Sequence, residues 1–327
     1  MVTELETRIR RRLDSLTKPQ GSLGRLEEIA LQVGLIQETD MPTIGRKVML
    51  LFCADHGIVE EGVSPFPPEV TAQMVANFRA GGAAITVLCR QYGIEPVIVD
   101  MGVGKPTRNF TREPAMSREE TQGAIETGIQ HAEGGDLLGA GEMGIGNSTA
   151  AAALLCAFTG ISPVEAAGRG TGLDDAGVAR KADVIARALA LHRPDHMDAI
   201  ETLAALGGRE IAAIAGLILG AAQKRRVVVL DGFISCAAAL VVRAMDPAAL
   251  DFVVYSHRSA ERGHQKMLEA LNARPLLDLD MRLGEGSGAA IGISLVESAV
   301  RLYREMATFD GAGVSTAAET PAESRSA

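Results

Sequence analysis

Cysteine is scarce, tryptophan absent and positive charge outnumbered in this sequence of 327 residues. The four cysteines, Cys53, Cys89, Cys156 and Cys236, lie far apart and show no C-x-x-C spacing. All but Cys89 sit in or just after apolar runs, which predicts buried thiols and not disulfides or metal ligands. There is no H-E-x-x-H pair, and His192 and His196 are separated by Pro194, so no metal site is expected. A net charge of −9, with no basic cluster longer than "RIRRR", excludes a nucleic-acid surface. Those arginines fall on an N-terminal helix and read as a solvated face. The P-loop signature G-x-x-x-x-G-K-[ST] is missing, which removes a P-loop ATPase. No uninterrupted apolar run reaches membrane-spanning length and no signal-peptide pattern opens the chain. The expectation is a soluble, acidic, cytoplasmic protein.

Apolar residues and glycine are plentiful, at 47% hydrophobic with 36 Gly, enough for one large domain or one with a smaller appendage. Leu5, Ile9, Leu13 and Leu16 recur at helical spacing, "TKPQGSLG" interrupts, and Leu26, Ile29, Ala30 and Val33 resume it. A second rhythm follows: an apolar run, a glycine-rich or polar turn, then a helix. The runs are "KVMLLFCADHG", "EPVIVDMGVG", "DLLGAGEMGIGNST", "RRVVVLDGFIS", "LDFVVYSHRS" and "LLDLDMRLGEGSG". Ser117 and Glu120 have capping-box spacing at the start of one intervening helix. Short Val/Ile/Leu runs alternating with helices predict an α/β fold, a parallel sheet covered on both faces. The Ala/Ser/Thr/Glu-rich tail after Asp310 predicts a disordered end.

In such sheets ligands bind beyond the carboxyl ends of the strands. The unusual polar groups all follow apolar runs: Asp55-His56, Glu142, Asp231, Ser256 to Ser259, and Glu285. Together they favour one crevice. "GAGEMG" and "GEGSGA" fit dinucleotide-binding glycine patterns, but no strand ending in an acidic residue follows the first, which excludes a nicotinamide dinucleotide fold. "GIGNST" precedes an alanine-rich helix, where Asn147 or Ser148 is either a helix cap or a ligand contact. Gly170, Thr171 and Gly172, with Lys181 downstream, make either a phosphate nest or a flexible turn with a solvated lysine; the pattern alone favours the turn. Asp231-Gly232 has the form of a simple turn. Glu142 and Glu285 do not, because glutamate is not a turn former. Two carboxylates in one crevice suit chemistry at a sugar anomeric carbon, one as a base and one beside an oxocarbenium-like centre. His56 in "ADHG" lacks a partner at ligand spacing and reads as structural. Phe66 and three prolines form a rigid loop, either a wall for a flat ligand or a stiff connector.

These segments together resemble the nicotinate-nucleotide–dimethylbenzimidazole phosphoribosyltransferase family. The matching stretches are "LTKPQGSLGRLE", "ADHGIVEEGVSPFPPEVTAQMVANF", "GEMGIGNSTAAAAL", "GRGTGLDDAG", "LDGFIS", "SHRSAERGH" and "RLGEGSGAA", in order over nearly the whole chain. The resemblance implies a Rossmann-like, mostly parallel sheet with helices on both faces (residues 41–300). It also implies a small helical domain from both termini (1–40 and 301–312), leaving 313–327 as a tail, and a homodimer. It implies transfer of phosphoribose from nicotinate mononucleotide to 5,6-dimethylbenzimidazole, giving α-ribazole 5′-phosphate and nicotinate, with no cofactor and no metal. By the same resemblance Glu285 is the catalytic base and Glu142 the second carboxylate. Gly144, Gly146, Asn147, Gly170, Thr171, Gly172 and Lys181 fall on phosphate and ribose contacts. Ser64, Phe66 and Gln73 fall on the base pocket, and Asp231 and Ser259 line the site. Ser148 stands where the family often has Thr, and Arg169 where a Pro is expected. The alternatives are an N-ribohydrolase using the same carboxylates with water, and a non-catalytic nucleotide-phosphate sensor.

Overall fold

Five apolar runs become strands, with apolar residues filling most of their length and charged residues only towards their ends. In the computed structural model, which describes residues 3–170, 172–194 and 198–315, these are β1 (Lys47–Cys53), β2 (Glu95–Asp100), β3 (Leu137–Met143), β4 (Val227–Leu230) and β5 (Val253–Tyr255). All pair in parallel, in the order β2-β1-β3-β4-β5. Every residue of β4 and all but the first of β1 are buried, although successive side chains point to opposite faces. Both faces are therefore covered, as an unbroken apolar run requires. This is the expected α/β class, in the doubly wound order of flavodoxin-like sheets.

The sixth run does not join. Leu277 makes only an isolated parallel bridge with His257. Asp280 takes a left-handed backbone (φ 53°), which no strand accommodates, and Asp278 turns outward to pair with Arg258. The segment Leu276–Gly284 is thus an extended loop past the end of the sheet.

The helices around the sheet pack through small residues. A side chain at Gly128 would strike the backbone of Ala213, and one at Gly216 the backbone of Ile125. Helices Arg118–His131 and Arg209–Lys224 consequently approach backbone to backbone. The alanine-rich helix Asn147–Thr159 and helix Phe233–Met245 are buried almost throughout. All four cysteines are buried free thiols. No helix among the described residues is long and apolar enough to cross a membrane.

The chain divides into two compact units. One is Ile44–Leu295, which holds the sheet; the other takes its described residues from Met1–Thr43 and Val296–Ala327. In the second, helices Glu4–Ser15 and Arg25–Ile36 bury Ile9, Leu13, Ile29 and Val33. Tyr303 donates from its hydroxyl to the Asp40 carbonyl at 2.7 Å. Arg12 is not part of a solvated face: its guanidinium donates to the carbonyls of Tyr303 and Arg304. Lys18 is buried and pairs with Glu27 at 2.8 Å across the "KPQGSLG" turn.

Candidate active site

Three carboxylates meet at the carboxyl ends of β3 and β4. Glu142 is the second-last residue of β3, Asp231 follows β4 directly, and Glu285 comes from the loop before helix Ser287–Glu305. All three are buried, at 3–7% exposure, and all line one cleft that is partly open to solvent. Asp55 and Arg258 do not join them. Asp55 accepts from Gly104 N–H behind the cleft, and Arg258 points to Asp278. His56 pairs with Glu210 at 2.6 Å in the interior, where both side chains are almost fully enclosed, so its structural reading stands.

The loop that carries Glu285 is unusual in its backbone. Gly284 (φ 84°), Glu285 (φ 63°) and Gly286 (φ 86°) are three consecutive left-handed residues, and the middle one is not glycine. Such a position costs about 1–3 kcal/mol and persists only where surrounding contacts fix it. Here the loop's own amides do so. Glu285 N–H donates to Glu142 Oε1 at 3.4 Å and Gly286 N–H to Asp231 Oδ2 at 3.2 Å. Asp231 Oδ1 also accepts from Gly288 N–H at 2.7 Å and Ala289 N–H at 3.0 Å. A glycine loop before a helix is an anion site, and in this protein Asp231 already occupies it. Asp231 is therefore a helix cap from a neighbouring strand, not just a strand-end turn.

Burial pushes Glu285 up to about 7, with the charge of Asp231 adding to it. One of its oxygens, Oε2, is enclosed and has no hydrogen-bond partner among the described residues. Burial, then Asp231 and Glu210, push Glu142 up to about 8, opposed by hydrogen bonds from the Asn147 amide and Glu285 N–H. Burial also raises Asp231, while His257 (3.9 Å away) and the three backbone donors pull it back. Buried carboxyls crowded into one cleft do not readily all ionise together, which suits a group that must take up a proton.

The second glycine-rich helix start, at Asn147–Thr159, is not filled by a carboxylate in this way. Its N-cap is Gly146 (φ 98°), and among the described residues no side chain caps it, while the Asn147 and Thr149 amides donate to the carbonyls of Gly144 and Gly146. Lys181, from helix Asp175–His192, reaches it with only 1% exposure and donates to Ser148 Oγ at 3.0 Å. Burial lowers Lys181 to about 8, with Glu261 acting against the shift. Gly170 (φ 52°) comes so close that a Cβ there would lie 3.1 Å from Lys181 Nζ and 2.9 Å from Ser148 Oγ. A helix start without a side-chain cap, a buried lysine and a glycine turn form a site for an anion such as a phosphomonoester. Arg169, where the resemblance implies a Pro, is tied down by donating to Leu173 O at 2.9 Å and pairing with Asp175.

The structure thus brings Glu142, Gly144, Asn147, Gly170, Asp231, Ser259 and Glu285 into one cleft lining, with Lys181 just behind Ser148. Gly146 caps the helix and Gly172 (φ 123°) follows the turn; neither lines the cleft. Thr171 lies outside the described residues. Ser64, Phe66 and Gln73 are not lining residues: Phe66 and Gln73 are exposed, and Ser64 accepts Phe66 N–H at 3.1 Å. His257 also lines the cleft, although the sequence marked it only as one member of the "SHRS" run. Glu261, Arg282 and Leu283 line it too and were not singled out. Their only sequence signal was proximity to "SHRS" and "GEG".

Comparison with known proteins fits this geometry. The DBI_PRT family model, described as a phosphoribosyltransferase, matches residues 1–314. The chain belongs to the nicotinate-nucleotide–dimethylbenzimidazole phosphoribosyltransferase family. Relatives carrying that name include one from Chloroflexus aggregans, 50% identical over 94% of this chain and 93% of the relative. Another, from Cupriavidus necator, is 50% identical over 93% of this chain and 94% of its own. The crystal structure of CobT from Thermus thermophilus superposes with a TM-score of 0.91 at 43% identity, covering 96% of this chain and 99% of that one. Membership of this phosphoribosyltransferase family makes the chain an enzyme, a pentosyltransferase.

Proposed function

We propose that the cleft moves the phosphoribosyl group of nicotinate mononucleotide onto 5,6-dimethylbenzimidazole, with inversion at C1′. The product is α-ribazole 5′-phosphate, and nicotinate is released. The nicotinate ring in the mononucleotide is a pyridinium. When the C1′–N bond breaks, its electron pair stays on the ring nitrogen, which leaves neutral and needs no acid. The azole attacks through its unprotonated nitrogen, and its remaining N–H becomes acidic only as the new C1′–N bond forms. That proton goes to Glu285.

The observation that carries this reading is the Glu285 carboxylate. It is buried, has one oxygen without a partner among the described residues, lines the cleft, and is poised at about 7. A base tuned close to neutrality is what general-base catalysis at physiological pH requires. Glu142, raised to about 8 by burial and by its acidic neighbours, would orient a ribose hydroxyl or face the charge that develops at C1′. The phosphate would sit at the start of helix Asn147–Thr159, against Lys181, Ser148 and Gly170. The apolar lining from Phe233, Ile234 and Leu283 would take the flat azole. A homodimer working in the cytoplasm belongs to the same reading.

The test is a product assay with nicotinate mononucleotide, with and without the azole, that resolves the anomer. Azole-dependent nicotinate release with an α-configured product is expected. Equal release without azole would mean a hydrolase, and a β product would rule out direct inversion.

A further inference from the structure

Glu261 stands beside the anion niche and has no place in the mechanism above. Its residue is half-buried and lines the cleft together with Arg282. Burial pushes its carboxyl above the ordinary value, and Lys181, Arg282 and the backbone N–H of Gly170 pull it part of the way back. A side chain at Gly168 would strike that carboxylate, so the glycine turn is shaped around it. Yet among the described residues the Glu261 carboxylate makes no ion pair. Lys181 gives its hydrogen bond to Ser148 instead. The carboxylate is held by the field of two cations and one amide, which a bound anion would supplant.

We propose that Glu261 is a resident counter-anion: in the free protein it fills the niche between Lys181, Gly170 and Arg282, and it swings aside when the nucleotide phosphate enters. A lysine with 1% exposure needs an opposing charge nearby at all times. Glu261 supplies it before the substrate arrives, and the phosphate supplies it afterwards. Both cannot hold the niche, because like charges in a partly buried site repel strongly. Glu261 therefore sets how tightly phosphate is held, offsetting part of the niche's positive charge when it is empty and weakening its grip on a phosphorylated product. It is a specificity-determining residue, not a catalytic one.

Because the niche takes phosphate only in the function proposed above, this reading rests on that one, and the two must be tested apart. The probe is inorganic phosphate, with its dissociation constant measured by calorimetry for the wild type, Glu261→Gln and Lys181→Ala. Glu261→Gln removes the charge and keeps the shape, and is expected to bind phosphate about tenfold more tightly. It should also lower KM for the nucleotide while leaving kcat no higher than in the wild type. Unchanged or weaker phosphate binding overturns the proposal. If Lys181→Ala binds phosphate as well as wild type does, the phosphate placement itself fails. If Lys181→Ala loses affinity but Glu261→Gln gains none, only the counter-anion role fails. Should the glutamine variant not fold, a crystal of the wild-type protein soaked in phosphate decides: the carboxylate must have left Gly170, and finding it in place beside bound phosphate overturns the proposal.

Discussion

Glu285 has a shape constraint and a charge constraint, and substitution separates them. Glu285→Gln keeps the volume and cannot accept the azole proton. The predicted drop in kcat is roughly 10²–10⁴-fold, the usual worth of a positioned base. Nucleotide KM should barely move, because the proton is transferred only in the transition state. The base must be ionised to work, so the wild-type rate should rise with pH through about 7, and Glu285→Gln should lose that limb. Steady-state kinetics on both sides of that value check both outcomes, and a glutamine variant turning over at wild-type rate removes Glu285 from the mechanism. Glu285 and Glu142 were legible in the sequence because glutamate does not favour a glycine turn on conformational grounds, so its presence there points to a role. Asp231 was only half legible. Its true partners are the amides of residues 286, 288 and 289, more than fifty positions away, and local turn chemistry explains an Asp-Gly equally well. Arg282 and Glu261 were legible only as neighbours of "GEG" and "SHRS", since a charged residue in a loop looks solvated until the fold encloses it.

At the scale of the element, the three left-handed residues 284–286 are what presents the base. A Cβ at Gly286 would lie 3.0 Å from Gly141 Cα and 2.8 Å from Met49 Sδ, in a backbone conformation that L residues avoid. Gly286→Ala should therefore cost about 2–3 kcal/mol of stability, the sum of backbone strain and a forced contact. It should lower kcat by far more than that loss would suggest, because shifting the loop breaks the Gly286 bond to Asp231 and re-aims Glu285. Gly160→Ala is the comparison. Gly160 is also left-handed (φ 75°) but has open space around it, so only a stability loss of about 1 kcal/mol is expected. Thermal unfolding with kcat measured on the same samples distinguishes the two, and equal kcat values would show the loop geometry to be idle. The strand-to-helix rhythm was legible for the same kind of local reason: parallel strands buried on both faces read as plain apolar runs. "LLDLDMRLG" copies that pattern and still fails, because Asp278 pairs outside the sheet and Asp280 takes a backbone no strand allows. The capping box of Ser117 and Glu120 was readable because both partners lie within one turn of helix, each backbone N–H donating to the other's side chain at 3.1 and 2.6 Å. What turns, caps and runs announce locally can be read from sequence, and what depends on two distant segments meeting cannot.

For the molecule as a whole, a cleft that crowds buried carboxyls must tax the folded state at a definable pH. Glu142 at about 8 and Glu285 at about 7 both lie above the unfolded value near 4.5. Each contributes stability that is fully present below about 4.5 and is lost as pH rises through its folded value. Two buried groups act in the opposite direction. His264, held down to about 3 by burial, contributes stability present above about 6.5 and lost as pH falls. Lys181, lowered to about 8, loses stability as pH falls from about 10.5 to 8. Between about pH 6.5 and 8, His264 and Lys181 change charge appreciably only near the lower and upper ends, so the carboxyls dominate there. At up to about 1.4 kcal/mol per pH unit for each group, and with the ends of the window partly offset by His264 and Lys181, unfolding free energy should drop by about 1–2 kcal/mol across that window. Urea denaturation at the two ends and the middle of the window measures it directly. Glu142→Gln cannot ionise, so it should flatten most of the slope and be more stable than the wild type at about pH 8, while losing activity. A wild-type protein equally stable across the window would mean that these carboxyls are better solvated than the cleft geometry makes them, and the same solvation would return Glu285 to an ordinary acid too weakly basic to take the azole proton.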